Sequence, residues 1–68
     1  MDENITEIVE SAGALLKLTR AGSGIERIYF DPQREQAVIE YHSGLVHRVS
    51  IAGDSGIAAI KDIVERVA

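Results

Sequence analysis

The spacing of apolar residues changes twice along this chain. Ile5, Ile8, Val9 and Ala12 recur at i, i+3, i+4 and i+7, one face of a helix. That period predicts a helix over about residues 3–12, with Asp2 and Glu3 near the positive end of its dipole. Gly13 is then the left-handed residue expected to stop it. The helical period also runs on through Leu15, Leu16 and Thr19, which would extend the helix to about five turns. Because "ALLKLTR" is followed by the turn signal "AGSG", the preferred reading is a strand over about 14–20.

From Ile25 the period drops to two. "IERIYF" sets Glu26, Ile28 and Phe30 against Ile25, Arg27 and Tyr29, and its β-branched and aromatic content predicts a strand over about 25–30. "DPQRE" follows, with Pro32 suited to the second position of a type I turn. "AVIEY" and "LVHRVSI" predict strands over about 36–41 and 45–51, joined by His42-Ser43-Gly44. Three loop residues ending in Gly fit a type I turn closed by a left-handed Gly44. That register pairs Tyr41 with Leu45, Ile39 with His47 and Ala37 with Val49. A one-residue slip would scatter these apolar residues over both faces.

The last segment returns to helical spacing over about 55–67. Ile57, Ile60, Ile63, Val64 and Val67 are expected on one stripe, with Lys61, Asp62, Glu65 and Arg66 opposite. The order is helix, antiparallel meander of three to four strands, helix. Both helices on one face of the sheet give a two-layer α+β domain spanning residues 1–68.

Composition narrows the function class. Sixty-eight residues make a single domain with a thin core, and the chain has no cysteine to add a disulfide or a thiolate metal site. Its longest apolar runs fall well short of the roughly 18 residues of a membrane span. The acidic start, "MDENITEIVE", is unlike a secretory signal, so a cytoplasmic protein is expected. Net charge is −4, unevenly spread: residues 1–13 hold Asp2, Glu3, Glu7 and Glu10 with no basic residue. No basic stripe is present of the kind that binds phosphate backbones, which disfavours direct nucleic-acid binding.

Candidate chemistry is sparse. "GDSG" at residues 53–56 resembles the nucleophile loop of chymotrypsin-type proteases, but serine catalysis also needs a base, an orienting group and oxyanion donors. His42 is expected in a turn and His47 facing the helices, so neither is placed for Ser55. The better reading is that Asp54 or Ser55 caps the following helix. "AGSG" lacks the lysine and helix of a phosphate loop, and two histidines five residues apart make no metal site. No cofactor, metal or catalytic residue is expected, and the chain reads as a non-enzyme.

Two surfaces remain for binding. One is the acidic set Asp2, Glu3, Glu7 and Glu10. The other is the sheet face without helices, expected to carry Arg27, Tyr29, Val38, Glu40, Val46 and Arg48, with Lys17 and Thr19 from the extra strand. Tyr and Arg beside small aliphatics match the composition of protein interfaces, and the same face would serve a homodimer. Glu40 and Arg48 are expected to pair across the hairpin.

The helix–three strands–helix order is similar to the double-stranded-RNA-binding domain, which grips phosphates with a lysine-rich start to its second helix. The matching stretch, "GDSGIAAIK", puts Asp54, Ser55 and Ile57 where cations would stand, so that resemblance implies the fold without the RNA binding. Over the whole chain, "ENITEIVESAG", "IERIYFDPQREQAVIEYHSGLVHRVSI" and "DSGIAAIKDIVERV" resemble small acidic phage-encoded anti-CRISPR proteins in architecture and composition. That resemblance implies an inhibitor that occupies a basic nucleic-acid groove of an effector complex, its acidic side chains standing in for phosphates. The expected function is therefore protein binding: an anti-CRISPR-like inhibitor in its sharpest form, a homodimeric accessory or adaptor protein as the alternative, and a divergent RNA-binding-like domain as a third reading.

Overall fold

The computed structural model describes residues 4–67. The elements run α1 (Ile5–Leu16), β1 (Ile25–Asp31), β2 (Gln36–Tyr41), β3 (Val46–Ser50) and α2 (Gly56–Val67). The strands form one antiparallel sheet in the order β1-β2-β3. Both helices contribute to a single core against one face of this sheet, where Val9, Ile25, Ile39 and Ile63 are fully buried. This is the expected two-layer α+β fold, with three strands. Burying each such side chain contributes roughly 1.5–3 kcal/mol relative to leaving it in water.

The β2–β3 hairpin has the register that apolar sorting demanded. Ile39 lies opposite His47 and Ala37 opposite Val49. The Tyr41 N–H donates to the Leu45 carbonyl at 2.9 Å, and the Gly44 N–H donates to the Tyr41 carbonyl at 2.9 Å. Gly44 takes φ 95°, where a side chain would be strained. In the β1–β2 turn, Asp31 Oδ1 accepts the Gln33 N–H at 3.0 Å. Glu35 then adopts φ 53°, a left-handed conformation that costs a non-glycine residue roughly 1–2 kcal/mol.

Strict alternation fails in β1. Pairing shifts between Ile25, opposite Tyr41, and Arg27, opposite Glu40, so Glu26 forms a bulge. The extra residue lets Ile25 and Ile28, three apart, both face the core, while Arg27 and Tyr29 face away. An unbroken period of two puts Ile25 on the wrong side.

The strand expected over 14–20 does not form. Helix α1 runs past Gly13 to Leu16 and closes through a tight turn, where the Leu18 and Thr19 N–H groups donate to the Leu15 and Leu16 carbonyls. The Thr19 hydroxyl donates to the Leu16 carbonyl at 2.7 Å and accepts the Gly22 N–H at 3.1 Å. Leu16 packs on the core, which gives the extra helical turn its reason. Lys17 and Thr19 are thus exposed turn residues and no part of a sheet face. Gly13 is not a terminator either. A Cβ there would come within 2.8 Å of Ile28 Cβ, so glycine lets α1 press onto β1.

Helix α2 also departs from expectation. Its buried side is Ala59 and Ile63, with Val67 partly covered. Ile57, Ile60 and Val64 lie on a neighbouring stripe that faces outward. At 100° per residue, 59 and 63 share one direction while 57, 60 and 64 share another, so one apolar helix carries two apolar stripes.

Candidate functional site

The sheet's outer face gathers all six residues expected there. On β1, Arg27 and Tyr29 point away from the helices. Across from them stand Glu40 and Val38 of β2, and beyond those Val46 and Arg48 of β3. The groups engage each other closely. The Arg27 guanidinium stacks 4.4 Å from the centre of the Tyr29 ring, and its Nε donates to Glu40 Oε1 at 2.7 Å. The Arg27 bond holds the Glu40 carboxyl below its ordinary pKa range, and Glu40 in turn raises Arg27. Arg48 does not pair with Glu40; its Nη1 lies 3.6 Å from Asp31 Oδ2, which Arg34 also approaches at 3.3 Å. Glu40 instead pairs with Arg27, directly opposite it in the register. Burial pushes the Asp31 carboxyl up, but hydrogen bonds from Arg34 and Gln33 outweigh it and leave its pKa lowered.

Beneath this polar lattice Val38 is 1% exposed, between Tyr29 and Arg48 on the neighbouring strands. The face without helices therefore makes its own cover. Its arginines are occupied by carboxylates within the face, so it has little unspent charge for a partner.

Of the acidic set, Asp2 and Glu3 lie outside the described residues. Glu7 and Glu10 are exposed on α1, in the layer opposite the sheet's outer face. The two expected surfaces are therefore on different sides of the molecule.

At the start of α2, Ser55 Oγ accepts the Ala58 N–H at 3.2 Å, a capping bond to the third helical residue worth about 1 kcal/mol. His47 packs edge-on against Tyr41 with ring centres 5.3 Å apart, and His42 Nδ1 lies 3.9 Å from Glu26 Oε1. Both histidines are thus engaged away from the Ser55 hydroxyl.

The same region holds a pair that the sequence did not suggest. Asp54 lies against Asp62, eight residues further on, and its carboxyl pKa is raised. The hydrogen bond to Asp62 is the main cause, followed by burial and by the charge of Asp62. Asp54 Oδ2 is buried with no hydrogen-bond partner, which leaves its charged form poorly satisfied. The two carboxylates open onto different depressions. Asp54 borders a cleft of about 220 Å³ with Ile5, Phe30, Pro32 and Glu35, whereas Asp62 borders another with Arg48 and Arg66. They share no cavity: the Asp54 cleft is below the roughly 300–1,000 Å³ of ordinary ligand sites, and the depression at Asp62, about 430 Å³, is shallow and open to solvent. Among the described residues, no three His, Asp or Glu side chains come together as metal ligands, and no helix is long and apolar enough to cross a membrane.

The surface that sequence reasoning missed is the outer side of the helices. A shallow groove runs between them, lined by Ile8, Ser11, Ala12 and Leu15 of α1 and Ile60 of α2, with Glu7 on its rim. Leu15 is 67% exposed and Ile57 82%, with Ile60 and Val64 also well exposed. Scattered apolar residues are normal on a protein surface, but here Leu15 and Ile60 line one groove and Ile57 and Val64 share the stripe of Ile60, the kind of grouping that marks interaction sites. The signal was available: α2 has too many apolar residues for one stripe of a two-layer domain.

No family model matches this chain, and neither a curated protein nor a solved structure is significantly similar to it.

Proposed function

We propose that this chain is a non-enzymatic protein-binding domain that makes its contact through the outer face of its helices. The observation that carries this reading is the exposed row Leu15, Ile57, Ile60 and Val64 flanking an apolar groove. Leu15 and Ile57 in this row have much apolar surface to withdraw from water, whereas on the sheet's outer face Val38 is already covered and Val46 is 45% exposed. The sheet-face alternative has less to offer, because Arg27, Glu40, Arg48 and Asp31 would have to exchange existing ion pairs for new ones.

The sharper form of the proposal is an inhibitor of a nucleic-acid-binding effector. Glu7 on the groove's rim, and Glu10 beyond it, support that form by placing anionic charge beside the apolar row. Mimicry of a phosphate track draws on fewer of the other carboxylates, since Asp31 and Glu40 are held by arginines. Apolar contact therefore leads, with acidic charge steering the approach.

Photo-cross-linking in cells expressing the protein tests this, using a cross-linking residue at Ile57 and, separately, at Tyr29. Adducts with polypeptide are expected from position 57 and not from 29. Adducts from Tyr29 alone would move the binding surface to the sheet, and adducts from neither would sink the proposal. An affinity that falls steeply with salt would favour the acidic form, and a flat response the apolar one.

A further inference from the structure

Resting on the reading that the helical face binds protein, we propose that one occupant of this face is a second copy of the chain, in a two-fold dimer. The groove is built to be self-complementary. Ile8 near the start of α1 touches the start of α2, where a Cβ on Gly56 would lie 2.8 Å from Ile8 Cδ1. Ile60 lines the same groove as Ile8, Ala12 and Leu15, and Ile5 at the start of α1 shares a cleft with Gly53 and Asp54, which lead into α2. The helices thus run side by side in the same direction with their first turns level.

A two-fold axis laid along the groove keeps every residue at its own height while exchanging α1 for α2. The apolar rows on the two banks then coincide. Ile8 and Leu15 are seven residues apart, as are Ile57 and Val64, so Ile8 meets the partner's Ile57 while Leu15 meets the partner's Val64. Residues seven apart return to nearly the same side of a helix, the spacing by which paired helices interlock.

Charge follows the same symmetry. The α1 bank carries Glu7 in its first turn and no basic residue in its last. The outer edge of the α2 stripe carries Lys61, next in angle after Ile57 and Val64. The symmetry operation brings each acidic bank over the partner's Lys61 edge, twice per dimer. The sheet's outer face has no comparable match, since its charges are already paired within one copy.

A standard interface takes about 800 Å² from each partner. The molecule spans 31 × 20 Å in its two longest directions, so a dimer of that size engages most of the helical face.

Sedimentation equilibrium of the full chain tests the proposal. The expected species has twice the chain mass of 7.4 kDa. Ile57→Glu and Leu15→Glu, on different helices and both at exposed sites, are each expected to weaken dimerisation at least about tenfold while leaving the far-ultraviolet circular dichroism unchanged. Glu7→Lys should weaken it less, and Lys61→Glu added to Glu7→Lys should restore it. Val46→Glu, on the sheet, should have no effect. If Ile57→Glu fails to fold, Leu15→Glu and the charge exchange decide the matter. A single-chain mass up to about 1 mM overturns the dimer, as does a dimer indifferent to both groove substitutions. The broader reading survives that result if position 57 still cross-links to a different polypeptide, and falls with it if no adduct forms.

Discussion

Val38 on the sheet and Ile57 on α2 are both aliphatic side chains pointing away from the core, yet one is 1% exposed and the other 82%. The difference lies in their neighbours. Cross-strand pairing places Tyr29 and Arg48 on either side of Val38, and Arg27 lies across the Tyr29 ring, held there by Glu40. A sheet brings side chains from three strands to the same height, so long residues can roof over a short one. A helix presents its outward residues on a convex surface, where neighbours diverge. Ile57, Ile60 and Val64 therefore stay wet unless something else arrives to cover them. The amphipathic rule alone does not distinguish these cases, since both elements place apolar residues outside the core.

The sharpest break in this comparison lies within α2 itself. Ile63→Ala should cost about 2–5 kcal/mol in urea unfolding, while Ile57→Ala should stay within about 0.5 kcal/mol for the dissociated chain. Equal costs would mean that the outer stripe is part of the core. Val38→Ala comes next, at about 1–3 kcal/mol, because the roof cannot collapse fully onto a smaller residue. A negligible cost there would show that Tyr29 and Arg27 do not cover it.

Smaller effects separate the carboxylates. The folded state raises the Asp54 pKa, so it binds that proton more tightly than the unfolded chain does. The resulting stability is present below the ordinary carboxylate range and is lost as pH rises through the folded-state pKa. Asp54→Asn should therefore raise the melting temperature at neutral pH and flatten that decline. A lower melting temperature at pH 7 would show that the Asp54 carboxylate is not disfavoured by Asp62 and burial. Glu40 has the opposite sign: its pKa is lowered, so its contribution is present above the ordinary range and fades as pH falls. Glu40→Gln should give the smallest change, a slight loss at neutral pH that shrinks further in high salt. An increase in that loss with salt would rule out the ion pair as its source.

Local chemistry made the hairpin legible. His42-Ser43-Gly44 admits a register in which Ala37, Ile39 and Val49 turn inward together, and turn geometry and burial agree on it. The Ser55 cap was legible for the same reason, because a short polar side chain before an apolar helical run has few other uses. The six sheet-face residues were also placed together, although their pairing was not: Glu40 chose Arg27 over Arg48 because directly opposite positions are closer than diagonal ones. Features that depended on distant packing were hidden. Gly13 reads as a helix stop until Ile28 is seen against it, and the "AGSG" turn signal masks the helical period that carries Leu16, four residues after Ala12, to the core. The helical groove is hidden because the apolar residues of α2 read as one stripe, while the thin core has room for only part of it. Asp54 and Asp62 were separated by sequence and joined only by the turn that precedes α2.

The bulge at Glu26 also bears on how copies of this chain can meet. β1 is an edge strand of seven residues, long enough to template a strand from a neighbouring molecule. An additional residue interrupts its ladder and coils the edge, spoiling the straight row of amides and carbonyls that such addition requires. Strand addition at the β1 edge is thereby discouraged at no expense to the buried isoleucines.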